Sequence, residues 1–225
     1  MTPIPFRPAA VLFDLDGVVI HSETQHIEAL SASLEASGVP TSALDYSIFV
    51  GHSDAAVIAD MQELFPRLKL DAVRIQDEKN ERYREVSDGI TLIPGVLNLL
   101  HHLKATSIPT ALVTSSIRID QQLAFELFEL APYFDAVITA DDVTATKPAP
   151  EPYQKAATLL RAQPEACVVI EDSRKGIRAG VAAGCYVLGL STSFPVETLL
   201  ETGASAAFDA YTALTPYLLS AFATS

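Results

Sequence analysis

Three features of this 225-residue sequence predict an α/β fold, a parallel-sheet core carrying a helical insertion. Five short apolar runs each end in polar residues or a turn. Helical spacing alternates with the later runs, as βα repetition requires, and a stretch of helices alone separates the first run from the second.

The first run, Ala9 to Phe13, stops abruptly at Asp14-Leu15-Asp16-Gly17. A run apolar at every position suits a parallel strand buried on both faces. Two acids at its carboxyl end then lie where open α/β sheets bind ligands. Carboxylates placed side by side out of water need a cation or a shared proton, and a divalent metal supplies the first.

Beyond Gly17 the spacing becomes helical. Ser22-Glu23-Thr24-Gln25 resembles a capping box, with Ile27, Leu30 and Leu34 on one stripe and Gly38-Val39-Pro40 as the stop. Ser53 and Asp54 open a second helix carrying Val57, Met61 and Leu64 as far as Pro66, and a third, more polar helix spans about 71–86. The chain returns near Ile93-Pro94-Gly95. Residues 1–19 and 92–225 are thus expected to form the α/β core and residues 20–91 a helical insertion.

The rest alternates. A helix with Val96, Leu99, Leu100 and Leu103 leads to a strand at 109–114, and a helix around 123–130 leads to a strand at 136–139. A helix near 153–160, a strand at 167–170, a helix ending by Gly184 and a strand at 186–190 complete the pattern.

Composition narrows the function. At 49% hydrophobic and 19% charged residues the chain can bury a full core. A net charge of −13 without any run of lysines or arginines opposes nucleic acid and anionic membranes as partners. Cys167 and Cys185 sit in apolar stretches without CxxC spacing, which predicts packed, reduced thiols and a cytoplasmic location. Neither a basic, apolar leader nor an apolar run of about 18 residues is present, so no signal peptide or membrane span is expected.

Chemistry gathers at the strand ends. Thr114, Ser115 and Ser116 follow the second major strand, Lys147 follows the third, and Glu171, Asp172 and Ser173 follow the fourth. In a parallel sheet all of them converge on Asp14 and Asp16. Carboxylates suit Mg²⁺, hydroxyls with backbone N–H groups suit phosphate oxygens, and a lysine neutralises charge beside them. Together they are the equipment of phosphoryl transfer.

As an ordered set, DLDGV at 14–18, VTSS at 113–116, KPAPEPY at 147–153 and EDSRKGIRAG at 171–180 resemble the haloacid dehalogenase superfamily, specifically its phosphatase and β-phosphoglucomutase-like group with a helical cap. The resemblance implies a Rossmann-like core and a Mg²⁺-dependent cytoplasmic enzyme. Asp14 would be the nucleophile that forms an aspartyl phosphate, and Asp16 the acid that protonates the leaving oxygen and then activates water. Asp14, the Asp16 carbonyl, Glu171 and Asp172 would hold Mg²⁺, while Thr114 and Lys147 would bind the transferring phosphoryl group. Dehalogenases of the superfamily lack the second aspartate, so Asp16 disfavours that activity.

The resemblance also implies a cap that reads the leaving group of a small phosphorylated metabolite, such as a sugar phosphate. Its candidates are Gly51 and His52 in the loop before the second cap helix, Lys79 in a Lys-Asn pair like one in the mutase cap, Ser115 and Ser116, and His26, which would brace Asp16. His52 reads more readily as an exposed loop histidine than as a substrate contact, and Tyr83, Tyr133 and Tyr153 as packing residues. The mutases carry an arginine three residues after the cap-loop glycine, where this chain has Asp54. A phosphatase is therefore expected, with a β-phosphoglucomutase-like mutase as the alternative, in a monomer or weak homo-oligomer.

Overall fold

A computed structural model describes residues 3–44 and 52–223. Six parallel strands form one sheet: β1 (Ala10–Phe13), β4 (Thr110–Val113), β5 (Ala136–Ile138), β6 (Cys167–Glu171), β7 (Tyr186–Leu190) and β8 (Ala206–Phe208). Their spatial order is β5-β4-β1-β6-β7-β8, so β1 is central and the strand order reverses beside it. A reversal of this kind opens a crevice at the carboxyl ends of the strands.

The continuous apolar runs are explained by cover on both faces. Val11 and Phe13 of β1 pack with Leu99 and Leu103 of α4 (Val96–Ala105), Ala124 of α5 (Arg118–Phe128) and Leu214 and Leu218 of α9 (Tyr211–Ala223). Ala10 and Leu12 point the other way, toward Tyr153 and Ala156 of α6 (Glu151–Leu159), Ile177 of α7 (Arg174–Ala183) and Leu199 of α8 (Val196–Thr202). Alternate side chains of one strand thus serve two cores. Both cysteines are buried free thiols, and burial pushes Cys167 up to about 11 and Cys185 to about 12.

Between β1 and β4 the chain runs through α1 (Glu23–Ala36), α2 (Asp54–Leu64) and α3 (Ala72–Glu85). These helices share a separate apolar cluster of Leu30, Leu34, Val39, Val57, Ile58, Met61 and Ile75. Where the chain leaves and re-enters, β2 (Ile20–His21) and β3 (Thr91–Leu92) pair as an antiparallel ribbon, two residues per strand and too short for periodicity to reveal.

Two local readings change. Ser22 stands at the N-cap of α1 but makes no capping bond, because its hydroxyl donates to Asp16. Ser53, by contrast, caps α2 by accepting from the Ala56 N–H. The tail beyond Leu190 adds α8, β8 and α9, whose pattern is masked by a three-residue strand and by Pro216 inside the last helix. Among the described residues no helix is long and apolar enough to cross a membrane.

Candidate active site

Asp14 emerges from the central strand with its N–H held by the Ile170 carbonyl at 3.1 Å. Its Oδ1 accepts from Lys147 Nζ at 2.8 Å, and the same ammonium donates to the Val113 carbonyl at 2.8 Å and to Glu171 Oε1 at 2.7 Å. Lys147 therefore spends its three protons on the ends of β1, β4 and β6. Burial opposes its charge, but Asp14 and Glu171 hold it above its ordinary range.

Glu171 is saturated. Oε1 takes Lys147 and the Tyr153 hydroxyl at 2.8 Å, while Oε2 takes the N–H groups of Asp172 and Ser173 and the Ser173 hydroxyl. A carboxylate offers about four lone-pair sites, so five donors leave none for another partner. Asp14, Glu171 and Asp172 place oxygens within 4.8 Å of one another, a group that could hold a cation, and because Glu171 already accepts five donors the uncommitted oxygens belong to Asp14 and Asp172.

Asp172 is oriented from a loop that the motifs did not include. Ser193 donates to its Oδ2, and Thr192 Oγ1 lies 3.3 Å from the same oxygen while donating to the Gly17 carbonyl at 2.6 Å. The legible signal was only Ser191-Thr192-Ser193 at the end of a strand. Gly17, at φ 77°, makes the approach possible, since a Cβ there would fall 1.9 Å from Asp172 Oδ2.

Asp16 has another environment. Its Oδ1 accepts from Ser22 and lies 3.2 Å from His26 Nε2, and its Oδ2 accepts from Ser116 at 2.7 Å. Burial disfavours its charge, but the charge and hydrogen bond of His26, with the two serine hydroxyls, hold it below the usual carboxylate range. His26 in turn stacks on the buried Tyr83 ring, with centroids 4.1 Å apart. Asp14 moves the other way, pushed up to about 7 by burial and Glu171 against the pull of Lys147. Asp172 is also raised well above its ordinary value by burial, Glu171 and Asp14. Two buried acids that resist ionisation fit a site that a hard divalent cation completes.

These groups open on a cavity of about 390 Å³ between the strand ends and the inserted helices. Asp14, Asp16, His26, His52, Ser115, Ser116, Lys147 and Asp172 line it. Thr114, buried behind them, accepts from the Ser116 N–H at 2.9 Å and so shapes the loop. Gly51 lies outside the described residues. Lys79 is wholly buried beside the cavity, its Nζ 2.9 Å from Asp54 and 2.5 Å from Asp120 of α5. Glu23, absent from the sequence-derived site, also lines the cavity near Asp16 and Ser193, and burial raises its pKa.

The family model for haloacid dehalogenase-like hydrolases matches residues 8–184. The chain belongs to that family. It is 32% identical over 190 residues to validoxylamine A 7'-phosphate phosphatase of Streptomyces hygroscopicus, covering 84% of this chain and 89% of that protein. It is 31% identical over 204 residues to hexitol phosphatase A of Escherichia coli, covering 85% and 86%. The crystal structure of β-phosphoglucomutase from Clostridium difficile superposes with a TM-score of 0.80 at 24% identity, over 96% of this chain and all of that one, a likeness of fold. This haloacid dehalogenase-like hydrolase is thus an enzyme related to named phosphatases.

Proposed function

We propose that the enzyme is a cytoplasmic, Mg²⁺-dependent phosphatase of small sugar-like phosphate esters, working through an aspartyl phosphate. The observation that carries this reading is the geometry around two carboxylates two residues apart: Asp14 is held by Lys147 beside Asp172, and Asp16 by Ser22, His26 and Ser116.

Asp14 is held by one oxygen on Lys147, which leaves Oδ2 to attack phosphorus. As that O–P bond forms, the bond to the leaving oxygen breaks, and the oxygen takes a proton from Asp16. The donors around Asp16 favour its anion in the free enzyme, so that proton is gained when substrate binds. Asp16 then removes a proton from water, the hydroxide attacks phosphorus, and the Asp14 carboxylate is released with inorganic phosphate. His26, Ser22 and Ser116 aim Asp16 through both half-reactions. Mg²⁺, held by Asp14, Asp172 and the Asp16 carbonyl, would neutralise the phosphate against the attacking carboxylate. The inserted helices, within residues 20–91, act as a cap over the site that excludes water and reads the leaving group.

Asp14→Asn tests this directly: turnover of p-nitrophenyl phosphate with Mg²⁺ should fall by at least about 10³-fold, with the melting temperature nearly retained. Near-normal activity would reject the assignment. A mutase must grip the phosphate that is not reacting, and the burial of Lys79 between two aspartates argues against that grip. Rapid conversion of β-glucose 1-phosphate to glucose 6-phosphate, primed with glucose 1,6-bisphosphate and without phosphate release, would favour the mutase instead.

A further inference from the structure

We infer that the substrate is a monophosphate whose leaving group is an uncharged polyol, and that Asp54 enforces this by cancelling Lys79. The inference rests on the phosphatase reading and adds the chemistry of the group released.

Part of the cavity wall belongs to the inserted helices and to the loops after β4 and β5. Ile27, Leu30, Val57, Ile117 and Val143 give it apolar surface suited to the C–H face of a carbon chain or ring. Its polar lining includes Asp54, Gln76 and Asp141. Gln76 Nε2 donates to Asp54 Oδ2 at 3.0 Å, which fixes the carboxylate at the start of α2. Carboxylates accept hydrogen bonds and donate none at neutral pH, so they select hydroxyl donors.

Lys79 of α3 pairs with Asp54 but does not itself line the cavity. Two carboxylates, Asp54 and Asp120, face its one ammonium, which leaves a net negative charge beside the part of the cavity that Asp54 lines. Lys147, the lysine that lines the cavity, is committed to Asp14 and Glu171. A like charge placed against a desolvated acid lowers affinity for the wrong ligand, which is selection by repulsion. The volume of about 390 Å³ holds a phosphorylated sugar or alditol.

The experiment compares kcat/KM, with Mg²⁺, for p-nitrophenyl phosphate, glucitol 6-phosphate, glucose 6-phosphate, 6-phosphogluconate and fructose 1,6-bisphosphate. The best uncharged-polyol ester should exceed both doubly anionic substrates by at least about tenfold. Hydrolysis of p-nitrophenyl phosphate with equal or better use of the anionic pair would overturn the inference and leave the phosphatase reading standing. No hydrolysis of any ester would instead remove the phosphatase reading and the inference with it. In Asp54→Asn, the ratio of kcat/KM for 6-phosphogluconate over glucose 6-phosphate should rise about tenfold, and an unchanged ratio would show that Asp54 does not set the preference. Should that variant fail to fold, Asp120→Asn removes the same unit of charge and is read by the same ratio.

Discussion

At the scale of single residues, the site depends on two glycines that make room for acids. Gly17 lets Asp172 approach the first turn, and Gly176 lies where a Cβ would sit 1.6 Å from Glu171 Oε1. In Gly17→Ala the left-handed backbone costs about 1–2 kcal/mol and the methyl displaces Asp172. A folded protein with weakened Mg²⁺ dependence is expected, read by titrating activity against Mg²⁺, and an unaltered titration would contradict the role given to Asp172. Tyr153 looked like packing in the sequence, yet its hydroxyl is one of the five donors that saturate Glu171. Tyr153→Phe should cost about 1.5–3 kcal/mol in urea unfolding, the scale for a hydrogen bond to a charged group. A loss below a few tenths would mean that Lys147 alone suffices to hold Glu171.

At the scale of elements, β1, β4, β6 and β7 were legible because strands covered on both faces are apolar at every position and end at charged or polar residues. The β2–β3 ribbon, β8 and α9 were not, since two or three residues carry no period and Pro216 breaks a helical pattern. Within the site, the motifs placed Asp14, Asp16, Lys147 and Asp172 around one cavity. They left out Ser193 and Glu23, whose roles depend on loops and helices meeting in space. The pairing of Lys79 on α3 with Asp120 on α5 was equally hidden, 41 residues apart. That pairing has a pH signature. Burial opposes the charge of Asp54, but Lys79, His26 and Gln76 lower its pKa overall, so its stabilisation is present above the ordinary aspartate value of 3.8 and is lost as pH falls below it. Burial likewise opposes the charge of Lys79, but Asp54 and Asp120 raise its pKa, so its share is present below 10.5 and is lost only as pH rises above that. Urea midpoints measured at pH 5 and pH 3 should fall less in Asp54→Asn than in the unmodified protein. Equal falls would detach Asp54 from acid stability.

At the scale of the whole molecule, the ion pair between α3 and α5 ties the inserted helices to the sheet domain. Loss of a partner from a buried pair commonly costs about 3–5 kcal/mol, and the remaining Asp54 should keep Asp120→Ala below that range in equilibrium unfolding. Burying Lys79 and Lys147 in ion pairs has a further consequence, this time for encounter in solution. With a net charge of −13 and two of its fifteen lysines and arginines enclosed by acids, the protein offers an approaching phosphate ester repulsion at long range. Salt shortens the reach of that field, from about 30 Å at 0.01 M to about 8 Å at 0.15 M. At fixed Mg²⁺, added sodium chloride should therefore speed capture of the ester and raise kcat/KM, the reverse of an enzyme that draws in its substrate by charge.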